Sequence, residues 1–122
     1  MILLVDDEPD HLKLMNKILD EEFNTKTARS GDEALHLLET EYFDLVITNL
    51  MMPNISGFEL VTILKDRYPK LPVILVSASF GEASVYKVYK KYVEACLAKP
   101  IDLDMFVHTV KRVLGASSDE NF

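Results

Sequence analysis

Four stretches of this chain are apolar almost throughout, and each stops at polar residues. Ile2-Leu3-Leu4-Val5 gives way to Asp6-Asp7-Glu8-Pro9, and Leu45-Val46-Ile47-Thr48 to Asn49 and a Pro/Asn/Ser/Gly loop. Pro72-Val73-Ile74-Leu75-Val76 ends at Ser77, and Ala95-Cys96-Leu97-Ala98 at Lys99-Pro100. Apolar runs this short do not make helices and suit strands covered on both faces. Phe23 to Ser30 alternates only loosely and predicts one more strand, nearer a sheet edge.

Between these runs the apolar residues change to helical spacing. Leu12, Met15, Ile18 and Leu19 follow Pro9, which suits a first helical turn. Ala34, Leu35, Leu37 and Leu38 follow Ser30-Gly31-Asp32-Glu33. Ser56 with Glu59 three residues on reads as a capping box for a third helix carrying Phe58, Leu60, Val61, Ile63 and Leu64, stopped near Tyr68-Pro69. Gly81 and Glu82 lead into a fourth helix with Val85, Tyr86, Val88 and Tyr89. Asp102 caps a fifth, with Phe106, Val107, Val110 and Leu114 inward and Gly115 as its stop. Alternating strands and helices with short loops imply a parallel sheet with helices on both faces, a doubly wound α/β sandwich. One domain over residues 1–115 is expected, with 116–122 as a polar tail or the start of a linker.

Composition narrows the function. With 122 residues, 48% of them hydrophobic, one domain with a proper core is the expectation. A net charge of -7 disfavours nucleic-acid binding by this domain alone. Cys96 is the single cysteine and makes no internal disulfide, which fits a reducing compartment. Ile2 to Val5 is too short for a signal peptide or a membrane span, so a cytoplasmic location without membrane contact is expected.

The chemistry sits where the strands end. In a parallel sheet those ends share one edge, so Asp6, Asp7, Asn49, Ser77 and Lys99 converge there. Each one alone reads as a helix cap or a solvated loop end. Together they are two carboxylates, an amide, a hydroxyl and an ammonium, a set that suggests phosphoryl transfer with magnesium, a hard cation that takes oxygen ligands.

From Ile2 to Leu114 the chain resembles a response-regulator receiver domain of two-component (phosphorelay) signalling. The matching pieces are Leu4-Val5-Asp6-Asp7-Glu8-Pro9, Asp44-Leu45-Val46-Ile47-Thr48, Met52-Pro53-Asn54-Ile55-Ser56-Gly57, Ser77-Ala78 and Lys99-Pro100. The resemblance implies a flavodoxin-like fold, five strands in the order 2-1-3-4-5 with five helices. It implies magnesium at Asp6, Asp7 and the Met51 backbone carbonyl, Asp7 directly and Asp6 largely through water. It implies phosphoryl contacts from Ser77 and Lys99, and it places Asn49 at the position of the phospho-accepting aspartate.

Three residues depart from that pattern. Asn49 offers a neutral amide where a carboxylate attacks phosphorus, and it removes a charged metal ligand, so magnesium binding should be weak or absent. Cys96 stands at the switch position, where the family usually has a Tyr or Phe, and Tyr92 stands where a helix-ending glycine is common. Asn49 is either a natural loss or an Asp→Asn change introduced to block phosphorylation. Cys96 and Tyr92 favour the natural loss, since an engineered block would alter residue 49 alone.

The expected function is a non-enzymatic signalling module that acts by protein contact, with a histidine kinase, phosphotransfer protein or output domain as partner. Tyr86, Tyr89 and Tyr92, interleaved with Lys87, Lys90 and Lys91, mark a partner surface. At least one of those rings is expected to pack on the sheet. By the resemblance, the face of the fourth helix, fifth strand and fifth helix is also a possible homodimer contact. A small α/β phosphatase using Asp6 or Asp7 is the competing class, but the Asp-x-Asp-x-Thr spacing of such enzymes is missing after the first strand. A flavodoxin-like electron carrier would need a Gly/Ser/Thr-rich phosphate cradle that these loops do not offer. His11, His36 and His108 lie on different helices and suggest no metal site.

Overall fold

The structure, a computed structural model, describes residues 1–119. Its elements are β1 (Ile2–Val5), α1 (Pro9–Asp20), β2 (Thr25–Ala28), α2 (Gly31–Thr40), β3 (Leu45–Asn49), α3 (Gly57–Arg67), β4 (Val73–Ser77), α4 (Ala83–Tyr89), β5 (Ala95–Ala98) and α5 (Leu103–Asp119). A single 3-10 turn, Ala78–Gly81, separates β4 from α4. All pairings are parallel, and the strand order is β2-β1-β3-β4-β5.

The continuous apolar runs are explained by a core on each face. Alternate residues of a strand point to opposite sides. Leu3, Val5, Val46, Val73 and Leu75 face one core, with Leu38 of α2 and Leu60, Val61 and Leu64 of α3. Ile2, Leu4, Leu45, Ile47, Ile74 and Val76 face the other, with Leu12, Met15 and Leu19 of α1 and Phe106, Val110 and Val113 of α5. Both sides of β1, β3 and β4 are thus buried, and no polar alternation is possible there.

Helix starts are capped by side chains, at Ser56 and Asp102 as expected and at Ser30 as well. The Ser30 and Ser56 hydroxyls accept from the Glu33 and Glu59 backbone N–H groups, and the Asp102 carboxylate accepts from Met105 N–H at 3.0 Å.

Two boundaries, those of β2 and α5, differ from expectation. β2 spans only Thr25–Ala28, because Phe23 N–H still donates to Leu19 of α1 and leaves the chain late to join the sheet. Within β2 only Ala28 is buried, as befits an edge strand. α4 ends at Tyr89, so Tyr92 lies beyond it in a turn whose N–H reaches the Tyr89 carbonyl. α5 continues through Gly115 to Asp119. Glycine inside a helix costs about 1 kcal/mol relative to alanine, and no proline follows to stop the helix. Part of the expected tail is therefore helical, and residues 120–122 lie outside the described region.

Candidate functional site

The strand order reverses between β1 and β3, and in open α/β sheets the crevice at such a switch point is where ligands bind. The register sets its floor. Val5 pairs with Thr48, Asn49 with Val76, and Ser77 with Ala98, so the residues that follow each strand emerge close to one level.

Asp6 is fully buried, and both of its oxygens are occupied. Oδ1 accepts from Glu8 N–H at 2.9 Å and Oδ2 from Lys99 Nζ at 3.1 Å. The Lys99 side chain is itself only 8% exposed, so this is a desolvated ion pair. Glu8 adds a second carboxylate 3.8 Å from the ammonium from the exposed side. A buried carboxylate at the end of an apolar strand would be costly alone, and Lys99 is the cation that makes it tolerable.

Asn49, 5% exposed, makes two side-chain hydrogen bonds. Its Nδ2 donates to Asp7 Oδ1 at 3.2 Å and to the Met51 carbonyl at 2.8 Å. Both partners are acceptors only, which fixes the amide with its nitrogen toward them. The Met51 side chain is 69% exposed, so only its backbone takes part.

Gly57 holds this loop in place. Its N–H donates to Leu50 O at 2.7 Å, and a Cβ there would come within 2.2 Å of the Asn49 carbonyl. Only a residue without a Cβ allows that approach. Asn54, at φ 66°, takes the left-handed turn that the short loop requires.

Ser77 is buried at the end of β4, and its hydroxyl is engaged by Ser79. Its Oγ lies 2.8 Å from Ser79 Oγ and accepts from Ser79 N–H, capping the 3-10 turn. The peptide bond between Lys99 and Pro100 is cis.

Cys96 is half-buried beside the α2–α3–α4 core, and burial pushes its thiol up to about 11, so it stays protonated and unreactive near neutral pH. The tyrosines divide. Tyr89 packs edge-on against Phe58 at 5.4 Å and Phe80 at 5.9 Å, and is the ring that belongs to the core side. Tyr92 is 45% exposed but still meets Phe58 edge-on at 5.5 Å. Tyr86 is exposed, with Lys90 over its ring. Phe80 and Ser79 are assigned no role in the sequence reading, and Phe58 and Glu8 enter it only as a helix residue and as part of an acidic run. For Ser79 the signal was available, a hydroxyl two residues after another at the start of a turn.

Among the described residues no three His, Cys, Asp or Glu side chains converge to hold a metal ion. Asp6 and Asp7 supply two carboxylates at the crevice floor, and Asn49 Nδ2 already holds Asp7 Oδ1 and the Met51 carbonyl, oxygens that could otherwise hold a divalent cation. The residues present therefore do not fit such a cation as they stand. A separate cleft of about 820 Å³ opens at the other end of the strands, beside Tyr42, Tyr68 and Pro72, but Glu41 and Asp44 on its wall are already paired with Lys26 and the N-terminal amine. The convergent polar groups lie at the crevice. No described helix is long and apolar enough to cross a membrane.

Comparison with known proteins agrees with this geometry. The family model for the response regulator receiver domain matches residues 2–111. The response regulator protein PilR of Pseudomonas aeruginosa is 34% identical over 119 residues, covering 97% of this chain but only 27% of PilR. The polar-differentiation response regulator DivK of Brucella ovis is 31% identical over 93% of this chain and 95% of its own length. Among solved structures, the receiver domain of NtrX from Brucella abortus superposes with a TM-score of 0.87 at 28% identity, covering 94% of this chain and 98% of that one. The response regulator TrrA of Thermotoga maritima, solved in complex with Mg(2+)-BeF, gives 0.82 at 30% identity, covering 92% and 96%.

Proposed function

Because the chain belongs to the response regulator receiver domain family, we propose that it is a receiver that takes up no phosphoryl group at residue 49 and signals by protein contact. Receiver domains are in general signalling modules of two-component systems and not enzymes. The observation that carries the proposal is Asn49 itself. It sits at the end of β3, buried, with its amide nitrogen tied to Asp7 and the Met51 carbonyl. A neutral amide has no anionic oxygen with which to attack phosphorus.

Receiver domains typically bind magnesium, and in this chain Asp6, Asp7 and the Met51 carbonyl would be its ligands. Its affinity is low here, because the third carboxylate is missing. Ser77 and Lys99 would be the phosphoryl contacts, but each is engaged within the protein. Cys96 is too small to act as an aromatic switch.

The partner is a protein of the phosphorelay, a histidine kinase, a phosphotransfer protein or an output domain, met in the cytoplasm. The contact runs through the α4 flank, where Tyr86, Val88 and Tyr92 are exposed beside Lys87, Lys90 and Lys91. The same flank serves a homodimer if one forms.

Intact-mass spectrometry with a small-molecule phosphodonor and magnesium tests the proposal. The parent chain gains no phosphoryl group, and Asn49→Asp gains one. Modification of the parent at residue 49 overturns the reading. An unmodified Asn49→Asp variant shows that more of the crevice than residue 49 has lost its chemistry.

A further inference from the structure

The crevice floor holds more hydrogen bonds than the loss of a carboxylate requires. An aspartate at residue 49 would offer two acceptor oxygens to a set of acceptors. The asparagine instead offers two N–H bonds, and both are used, at 3.2 Å to Asp7 Oδ1 and at 2.8 Å to the Met51 carbonyl. The remaining carboxylate, Asp6, already accepts from Lys99 Nζ and Glu8 N–H. Asp6, one oxygen of Asp7 and the Met51 carbonyl are thus each answered from within the protein, in a place where Asn49 is 5% exposed.

We propose that the Asn49 amide stands in for the divalent cation: its NH2 group bridges Asp7 and the Met51 carbonyl, satisfies the oxygens that a cation would need, and closes the site. This rests on the reading above that residue 49 is not a phospho-acceptor, but it says more. Residue 49 is an internal plug as well as a missing ligand. The Met51 loop is held to the β1 end by a covalently attached donor, and the crevice keeps one arrangement whether or not a cation is present in solution.

The plug and the mere loss of a ligand predict opposite results for one substitution. If residue 49 has only lost a carboxylate, Asn49→Ala removes a remaining amide oxygen and binds a divalent ion no better than the parent. If the amide plugs the site, Asn49→Ala frees Asp7 Oδ1 and the Met51 carbonyl and binds it more tightly. Two hydrogen bonds of ordinary net strength correspond to about thirtyfold in affinity.

The probe is manganese(II), titrated into the parent, Asn49→Ala and Asn49→Asp chains, with binding read from paramagnetic broadening of the amide signals of residues 6–8 and 50–52. The expected order of affinity is Asp, then Ala, then Asn, with about a thirtyfold step between Ala and Asn. An alanine variant equal to or weaker than the parent overturns the proposal. Should Asn49→Ala not fold, the parent alone decides. The Asn49 side-chain NH2 protons are expected to exchange slowly with solvent and to keep their shifts at magnesium concentrations that saturate Asn49→Asp. Fast exchange, or shifts that move with magnesium, overturns it. A parent that is not phosphorylated but whose alanine variant binds no better defeats the plug and leaves the proposed function standing. A phosphorylated parent defeats the proposed function first.

Discussion

The crevice floor and the α4 flank are built in opposite ways. At the floor, charged and polar side chains are buried or half-buried and answer one another: Lys99 with Asp6, Asn49 with Asp7 and the Met51 carbonyl, while Gly57 lies against the backbone of Asn49. On the flank, α4 contains no fully buried residue and is held mainly by rings, Tyr89 between Phe58 and Phe80 and Tyr92 at the edge of Phe58. The floor is specified by directional bonds and tolerates little change. The flank is specified by area and edge contacts, and leaves surface free for a partner. A receiver of the proposed kind, which takes up no phosphoryl group, is expected to keep the first as a fixed scaffold and to use the second.

Substitutions that strike one region and spare the other sharpen this contrast. Lys99→Met keeps the aliphatic stem but leaves Asp6 buried without its cation. The expected loss is about 3 kcal/mol in urea unfolding, since breaking a buried pair costs several times an exposed one. A neutral result would mean that Asp6 is not held by that pair. Gly57→Ala brings a Cβ within 2.2 Å of the Asn49 carbonyl and 2.7 Å of Leu50 Cα, backbone atoms that have little room to move. About 2 kcal/mol of stability is expected to be lost, together with displaced amide signals at residues 49–52. On the flank, Tyr86→Ser removes an exposed ring. It is expected to change stability by less than about 0.5 kcal/mol while weakening association with the partner or with a second copy. A partner complex that leaves Tyr86 and Val88 fully accessible would break the comparison at its second term.

Much of this was readable in the chain. The four apolar runs declared a sheet covered on both sides, and the helical spacing with its caps at Ser56 and Asp102 placed the helices to within a few residues. The strand order did not follow from pattern, which cannot tell neighbouring strands from distant ones; it came with the family resemblance. Boundaries set by a single residue type read less well. Gly115 suggested a stop, but the helix passes through it, because one weak residue does not outweigh the turns around it. At the crevice the charge balance was legible: Lys99 was the one cation among acids, and it pairs with Asp6. The role of Asn49 as a donor was not found, although counting donors against acceptors would have suggested it, since an amide placed among carboxylates and carbonyls turns its nitrogen toward them. The division of the tyrosines depends on Phe58 and Phe80, which are distant in sequence from one another and from Tyr92, and no local signal assigns them.

The most direct test of the central claim, that the crevice floor is complete without cation or phosphoryl group, is a pair of amide correlation spectra. The parent and Asn49→Asp chains are each recorded alone and then with magnesium and beryllium fluoride, which mimics a phosphoryl group on a carboxylate. The parent spectrum is expected to be unchanged, and the variant is expected to shift at residues 6–8, 49–52, 77–79 and 99. Matching shifts in the parent would contradict the account, because they would show a crevice that still takes up the ion and the phosphoryl mimic despite the amide at residue 49.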